Sequence, residues 1–391
     1  MTRAVSTHPS ILVRQSQIDG ATAAADGARW RRFPSPSVQT ERSNGQTIAL
    51  MRLEQSVWTA GRISAGVEGA QARGLAAQWS LREAQHDLAL RVVDAIESLM
   101  AALWRSQAVD VGLVRLQAME GAIARRIHSE VSPRVEMDLM QSRITQLRIE
   151  SLSHRSAVAV ARQRLSQWIG EDIDPDVIGE AASRLVSEDK AGFSQQAVDG
   201  LLAQGLLVHP TLRRIEAEIS SAQYAVKETQ ASAWPQVFAR IERQMAVTGR
   251  NGTPAENRIY FGLSYAPGAG LSLQSQIRER LTQVQALERS REASLLDLQL
   301  RVRSEWEVFQ TSAARISESR SMLTNSSDVT QSYRRLFLVG KRSWQDVLNA
   351  AREQLVVETS LADLKAQSVA SAYRLQTYSG RWDWQKYGDV K

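Results

Sequence analysis

The sequence lacks several features that would point to an enzyme, a disulfide-stabilised protein or a helical membrane protein. None of its 391 residues is a cysteine, which excludes disulfides, thiolate metal sites and thiol nucleophiles. No stretch of 18 apolar residues is present, so the sequence predicts no transmembrane helix. The net charge of +6 comes from arginines scattered along the chain rather than from a run of like charges. This pattern favours solvated helix faces over a nucleic-acid site.

Catalytic and metal-binding patterns are also missing. The five histidines have no spacing that would place two metal ligands on one helix face or in one short loop. The glycines of Gly249–Gly252 do not form a phosphate-binding loop, because no GK[ST] ending follows them. No G-x-S-x-G nucleophile motif is present. We therefore predict no metal, no cofactor and no enzymatic activity.

What the chain does contain is one pattern written in two copies. The segment that begins at His8-Pro9 returns at His209-Pro210, an offset of 201 residues. Further along, Asp87-Leu88 returns at Asp297-Leu298, an offset of 210 residues. We place the extra residues in the strand region of the second copy. Copies of this length exceed the repeats of a solenoid, so they indicate duplication of a whole structural unit.

Long helices are predicted in both copies. Leu88, Val92, Ile96, Leu99 and Leu103 follow the spacing of a helix packed on another helix. A second apolar stripe recurs every seven residues, as coiled-coil packing requires, at Leu348, Leu355, Ala362 and Val369. Ahead of the second His-Pro, Gln195–Val208 predicts a further helix.

Between the helices of each copy, apolar and polar residues alternate as in half-buried strands. In the second copy this holds for Gln236–Met245 and Arg258–Tyr265, and in the first for about 38–43 and 48–57, joined by the turn signal Asn44-Gly45. Pro34 and Pro235 stand where a helix passes into a strand, because proline cannot continue a helix. Phe33 and Trp234 precede them, either as packing residues or as anchors at a membrane interface.

These patterns divide the chain into two repeats and a connection. The predicted ranges are a first repeat 1–170 with strands about 38–57 and long helices about 63–127 and 134–169, an inter-repeat connection 171–200, a second repeat 201–380 with strands about 236–265 and long helices about 272–338 and 343–379, and a tail 381–391.

The most distinctive motif is the segment FLVGKRSWQDVLNA at Phe337–Ala350. It resembles the aromatic-x-V-G-x-R-[ST]-x-x-D-V-L-[DN]-A segment at the periplasmic tip of TolC-like outer-membrane efflux and secretion channels. The His-Pro starts, the aromatic-Pro steps and the L-x-x-x-x-G endings of both copies match as well, so the resemblance extends from His8 to Gly380. The amino-acid sequence of this segment is most similar to that of the LapE-type channels of type I secretion systems, which export large adhesins.

The resemblance implies a fold that is mainly α with a small β part. Each chain would duplicate a unit of long coiled-coil helices and a β-hairpin, and a homotrimer would form a twelve-stranded β-barrel continued by a twelve-helix periplasmic α-barrel. Physics also requires several chains, because four strands cannot close a barrel and open strand edges are not tolerated in lipid.

Location and partners follow from the same resemblance. The implied location is the outer membrane of a Gram-negative bacterium, in contact with outer-membrane lipid and extending into the periplasm. Substrate would pass from an inner-membrane ABC transporter or other pump, through a periplasmic adaptor (membrane fusion protein), to the outside. No nucleic acid is implied.

The resemblance also assigns roles to residues at the tip. Asp346 and Arg342 match an acidic and a basic position at the pore constriction, and Asn349 stands where a second aspartate is often found. The adaptor-docking tip is implied at Phe337, Val339, Gly340 and Lys341 in the second copy and at Glu130 and Pro133 in the first. The first tip has no glycine, so we expect the two tips to differ. Pro34, Pro235 and Trp234 would form the helix-to-barrel junction.

Two other functions fit part of the sequence. A soluble periplasmic coiled-coil adaptor would need one hairpin tip and a separate β-rich module, whereas this sequence has two tips and a hairpin in each copy. A soluble coiled-coil structural protein is favoured by the absence of a visible signal peptide in the first residues, but the alternating strand segments oppose it.

Overall fold

A computed structural model describes residues 7–43, 46–175, 177–179, 195–248, 256–266 and 272–378 of the chain. The described chain is mainly helical, with one small antiparallel sheet. The elements in chain order are α1 (Pro9–Trp30), β1 (Ser35–Ser43), β2 (Gln46–Trp58), α2 (Arg62–His128), α3 (Val135–Ile169), α4 (Gln195–Gly200), a π-helical turn (Leu201–Gly205), a 3-10 turn (Leu206–Val208), α5 (Pro210–Ala231), β3 (Gln236–Thr248), β4 (Glu256–Ser264), α6 (Ser272–Leu338) and α7 (Trp344–Tyr378).

The helices come in matching pairs. The helices α2 and α6 have 67 residues each, and α3 and α7 have 35 each. Such lengths need stretches without proline and an apolar stripe to bury, and the predicted heptad stripe meets the second need because Leu355, Ala362 and Val369 are buried. The helix α5 begins at Pro210, and Nδ1 of His209 accepts a hydrogen bond from the backbone N–H of Thr211 at 3.3 Å. Proline suits this first helical position because its missing N–H would have no partner there.

The four strands form one antiparallel sheet in the order β1-β2-β3-β4. In the central pair, Arg52 faces Glu242 and Glu54 faces Arg240. The pairing of β2 with β3 joins the first predicted hairpin to the second. Both β1 and β4 are edges of this sheet.

Contacts divide the chain into two compact units, and each unit takes segments from both predicted repeats. One unit contains residues 10–84 and 207–297, and it includes α1, the sheet, α5 and the adjoining parts of α2 and α6. Inside it α2 and α5 approach closely at Gly69, where Ser221 Oγ donates to the Gly69 carbonyl at 3.2 Å. A Cβ at Gly69 would lie 3.3 Å from the Tyr224 Cβ, so a side chain there would press the helices apart. The division into repeats remains an interpretation of the sequence.

The other unit comprises the described residues within 1–9, 85–206 and 298–391. A core cluster of this unit lies toward the α2–α3 and α6–α7 turns and includes Ile123, Met140, Phe337, Trp344 and Val347. A charged cluster lies elsewhere in this unit, where Arg374 Nη2 is 2.7 Å from an Asp94 carboxylate oxygen and also contacts Glu97.

Some element bounds differ from the predicted ones. The strands β1 and β2 begin at Ser35 and Gln46, earlier than the alternating pattern indicates, because cross-strand backbone pairing continues past the alternating residues. The helix predicted at Gln195–Val208 is not one α-helix, since it passes from α to π to 3-10 geometry. Gly205, a weak helix former, lies at the change, and the Leu201 side chain occupies the space beside it. The turn Asn44-Gly45 and the loop 249–255 lie outside the described residues.

Candidate functional site

The turns α2–α3 and α6–α7 have the same backbone path. In the first turn Glu130 has φ of 58°, and in the second Gly340 has φ of 76°. The N–H of Val131 donates to the Arg126 carbonyl at 2.9 Å, and the N–H of Lys341 donates to the Leu336 carbonyl at 2.9 Å. Both turns are therefore Schellman motifs, in which a left-handed residue closes the helix end.

This shared path limits the expected difference between the two tips, because the missing glycine does not change the backbone conformation of the first. The backbone N–H of Glu130 donates to the Ile127 carbonyl, as that of Gly340 donates to the Phe337 carbonyl, each at 3.0 Å. Glu130 thus adopts a conformation that costs a residue with a Cβ about 1–2 kcal/mol. The tips differ in their side chains and in this strain.

Arg126, near the end of α2, joins the two turns. Its Nη1 donates to the Leu338 carbonyl at 2.9 Å, and its Nε donates to Ser132 Oγ at 3.0 Å. Its guanidinium carbon also lies 4.7 Å from the centre of the Phe337 ring. One side chain therefore satisfies a carbonyl at the end of α6 and holds the other turn beside it.

Phe337 is a core residue rather than a surface residue of this chain. It is 3% exposed, and its ring centre lies 5.2 Å from that of Trp344, which is 2% exposed. This aromatic pair anchors the second turn to the core cluster below it. Its contribution to any docking surface is to position the turn.

The remaining predicted tip residues lie on the surface. Glu130 and Pro133 of the first turn and Gly340 and Lys341 of the second are exposed, and Val339 is 67% exposed. Between the turns is a groove, and its lining includes Ala122, Arg125, Ser129, Val131, Leu338 and Val339. The groove combines apolar side chains with arginine, so it suits a partner that is apolar with acidic or carbonyl groups nearby.

Asp346 has a structural role at the start of α7. Its Oδ2 accepts a hydrogen bond from the Ser343 N–H at 3.2 Å, and Ser343 Oγ accepts one from the Asp346 N–H at 3.2 Å. This reciprocal pair is a capping box. The Ser343 hydrogen bonds, helped by the charge of Arg342, hold the pKa of Asp346 below its ordinary value.

Arg342 lies between Asp346 and the end of α6. Its Nη1 is 3.8 Å from Asp346 Oδ2, and its guanidinium carbon is 4.6 Å from the centre of the Tyr333 ring. Asn349, about one turn further along α7, is exposed. Within the single chain, Arg342 and Asp346 are thus brought together, and Asn349 lies near them on the same helix.

The helix-to-strand junctions of the two copies also match. At the first, Phe33 N–H donates to the Trp30 carbonyl at 3.0 Å, and at the second Trp234 N–H donates to the Ala231 carbonyl at 3.2 Å. In each case proline follows and the strand begins with the next residue. Both aromatic side chains are largely exposed, Phe33 at 56% and Trp234 at 61%, and the Phe33 ring centre lies 5.2 Å from that of Trp30. Other exposed aromatic residues near the strand ends are Trp30, Trp58 and Tyr265.

The two faces of the sheet differ in chemistry because side chains alternate along each strand. One face carries exposed apolar side chains, namely Val38, Met51, Leu53, Ile241, Ile259, Phe261 and Leu263. Arg42 and Arg243 share this face toward the hairpin turns. The opposite face carries Glu41, Arg52, Glu54, Arg240, Glu242, Glu256 and Arg258. On that face the Phe238 ring covers Gly262, where a Cβ would meet it at 2.4 Å.

Two features are absent from the described residues. Among them, no group of three or more histidine, aspartate or glutamate side chains is arranged to hold a metal ion. None of the helices within the described ranges is long and apolar enough to cross a membrane.

Solved structures with a similar fold come from several bacteria. The outer membrane protein VceC of Vibrio cholerae is 14% identical, with a TM-score of 0.80 over 97% of this chain and 94% of that one. CusC, whose crystal structures show conformational changes that accompany folding and transmembrane channel formation, is 15% identical, with a TM-score of 0.81 over 96% of this chain and 90% of that one. The MtrE outer membrane channel of Neisseria gonorrhoeae, in its open state, is 14% identical, with a TM-score of 0.68 over 97% and 87%.

The chain has the fold of these outer-membrane channels. No family model matches the sequence, and no curated protein is significantly similar to it. The TM-scores establish the shared fold, whereas identities of 14–15% transfer no activity to this chain.

Three sets of residues in these regions were not predicted from the sequence. The capping box has a local signal, because Ser343 and Asp346 form the S-x-x-D pattern. Arg126 has no such signal, since its partner Leu338 is 212 positions away. The sequence also has no local signal for the charge pairs between β2 and β3, because these pairs depend on the register of strands from different copies.

Proposed function

We propose that this chain is one subunit of a trimeric outer-membrane channel, the exit duct of a type I secretion or efflux system. Substrate would pass from an inner-membrane ABC transporter or other pump, through a periplasmic adaptor, and across the outer membrane. The protein performs no catalysis in this proposal. The similarity of the segment at Phe337–Ala350 to LapE-type channels favours type I secretion.

The two-faced sheet is the observation that carries the proposal. Apolar residues on a single sheet face are normally buried, yet Phe261 is 81% exposed and Ile259 is 70% exposed. Transmembrane barrels have an apolar outer face, a polar inner face and aromatic residues at the membrane interfaces, and in this chain the exposed tryptophan residues lie at the helix ends of the strands. The exposed Trp234 and Trp58 near the strand ends suit such an interface.

The free edges of the sheet support a trimer. The strands β1 and β4 each have one neighbour in the sheet, and unpaired backbone groups cost several kcal/mol each in lipid. Pairing of β4 with β1 of the next chain would remove every edge. Three chains give twelve strands, a number within the range of known membrane barrels.

The residues at the two turns support a role in gating the pore and in docking the adaptor. In the proposed channel, Asp346 of each subunit contributes to a ring of carboxylates at the constriction, with Arg342 and Asn349 beside it. The exposed Val339 and Lys341 and the adjoining groove would contact the adaptor. The adaptor would favour one of two packings of the tip helices and so shift the population toward the open pore.

The decisive experiment combines size and conductance. The protein purified in detergent should have the mass of a trimer and should conduct ions across a planar bilayer. In the same recordings, Asp346→Asn should weaken block of the pore by multivalent cations, because the carboxylate ring attracts cations. A monomer that stays soluble without detergent would instead support a periplasmic adaptor or a structural coiled-coil protein.

A further inference from the structure

The charged face of the sheet contains a square of four paired charges. Arg52 and Glu54 lie on β2, and they face Glu242 and Arg240 on β3. The Arg240 Nη2 atom is 2.6 Å from Glu54 Oε2, and the Arg52 Nε atom is 3.4 Å from Glu242 Oε2. Along each strand and across each pair the sign of the charge reverses.

This arrangement cancels its own field. A single charge acts over roughly the Debye length of 8–10 Å at physiological salt, whereas two positive and two negative charges at the corners of a square have neither net charge nor net dipole. An ion several ångströms above the square would therefore meet little potential from it. The four side chains are partly covered, since Glu242 is 16% and Arg52 31% exposed, so solvent screening alone does not neutralise them.

The neighbouring charges on this face leave a small negative excess. Arg258 Nη2 is paired with Glu256 Oε2 at 2.6 Å, and Arg52 Nη1 also donates to Gln39 Oε1 at 3.1 Å. Glu41 is the fourth acid on the face, against three arginines. The face as a whole is nearly neutral, and its balance depends on both members of each pair.

We infer that Arg52, Glu54, Arg240 and Glu242 determine the ion selectivity of the sheet's inner face by cancelling one another's charge. This inference rests on the proposed channel, in which the charged face lines the lumen. The wild-type lumen then has only a weak preference for cations, which loss of an acid shifts toward anions and loss of an arginine strengthens. A role limited to strand register would leave selectivity unchanged, because uncharged glutamine can still hydrogen-bond across the strands.

The test measures reversal potentials of the purified full-length protein in planar bilayers under a potassium chloride gradient. Glu54→Gln exposes one arginine per subunit and should shift the cation-to-anion permeability ratio toward anions by roughly two- to fivefold. Arg240→Gln should shift it toward cations by a similar factor. The combined variant Glu54→Gln/Arg240→Gln should return to the wild-type ratio.

A matched control removes a carboxylate from an ion pair outside the sheet. Asp26→Asn breaks the pair of Asp26 with Arg29 on α1, which has a separation of 2.9 Å, and it should leave the ratio unchanged. If a variant at Glu54 does not assemble, Glu242→Gln tests the other pair with the same expected direction.

The outcomes separate this inference from the proposed function. Conducting channels in which both single variants keep the wild-type ratio, or shift it in the same direction, would overturn the inference and leave the channel function intact. A wild-type trimer that does not conduct would overturn the proposed function, and the inference with it.

Discussion

The strained Glu130 permits a paired test of the two tips. Glu130 and Gly340 occupy equivalent left-handed positions with φ of 58° and 76°. Replacing Glu130 by glycine removes a strain of about 1–2 kcal/mol and adds about 0.5–1 kcal/mol of chain entropy cost. The net stabilisation of the first turn should be about 0.5–1 kcal/mol. Gly340→Ala should destabilise the second turn by about 1 kcal/mol, because alanine is incompatible with positive φ.

The cost at Gly340 should come from the backbone alone. A Cβ there would have no neighbour within 4 Å, so no clash contributes. Glu130→Gly removes a negative charge as well as the backbone strain. Glu130→Ala separates these two effects. Alanine removes the carboxylate but keeps the strain, so Glu130→Ala should resemble the wild type.

Amide hydrogen exchange reports the opening of each turn directly. The N–H groups of Val131 and Lys341 make the closing hydrogen bonds, so peptides covering 126–134 and 336–343 should be followed by mass spectrometry. A change of 0.5–1 kcal/mol corresponds to roughly two- to fivefold in protection, since 1.4 kcal/mol is tenfold. Glu130→Gly should slow exchange in the first peptide and leave the second unchanged. Equal or faster exchange in the first peptide would refute the reasoning from backbone strain.

Two further predictions concern the same region. Arg126→Ala should destabilise the tip by about 1–3 kcal/mol, because it removes a charged hydrogen bond to the Leu338 carbonyl and a cation–π contact with Phe337. Denaturant unfolding in detergent measures the loss of stability. Amide hydrogen exchange should also become faster in both turns. Asp346 has a lowered pKa, so its cap stabilises the protein above the ordinary aspartate pKa and loses this effect as the pH falls through the folded value. The difference in unfolding midpoint between wild type and Asp346→Asn should therefore be full at about pH 6 and should shrink as the pH falls below the ordinary aspartate pKa.

Controls sharpen both tests. Arg126→Lys keeps the positive charge but lacks the planar fork, so it should recover only part of the lost stability. A full recovery would mean that charge alone accounts for the effect. For the cap, a difference between wild type and Asp346→Asn that is independent of pH would show that the carboxylate's ionisation is not involved.

Helix positions and strand chemistry were predictable from local patterns. Three of the four residues in the predicted heptad stripe, Leu355, Ala362 and Val369, are buried, and Leu348 is half-buried. The mainly helical fold with a small antiparallel sheet is confirmed. Local patterns suffice here because long amphipathic helices and alternating strands are encoded by neighbours three, four or two positions apart.

Contacts between distant segments were not predictable. The pairing of β2 with β3 brings Glu54 to Arg240, 186 positions away, and no local pattern specifies that register. Arg126 likewise reaches a carbonyl on another helix. The left-handed Glu130 was missed for a related reason, since glycine normally signals such a turn and here hydrogen bonding to the end of α2 imposes it on glutamate.

Composition and short-range periodicity sufficed for the two-copy pattern, the long helices, the two-faced strands and the absence of cysteine chemistry. The folded structure was needed to show that the two tips share one backbone path, that Phe337 is a buried anchor, that Asp346 caps α7, and that opposite charges meet across β2 and β3. These features depend on where distant residues are placed by packing and strand register, and packing is a property of the folded chain as a whole.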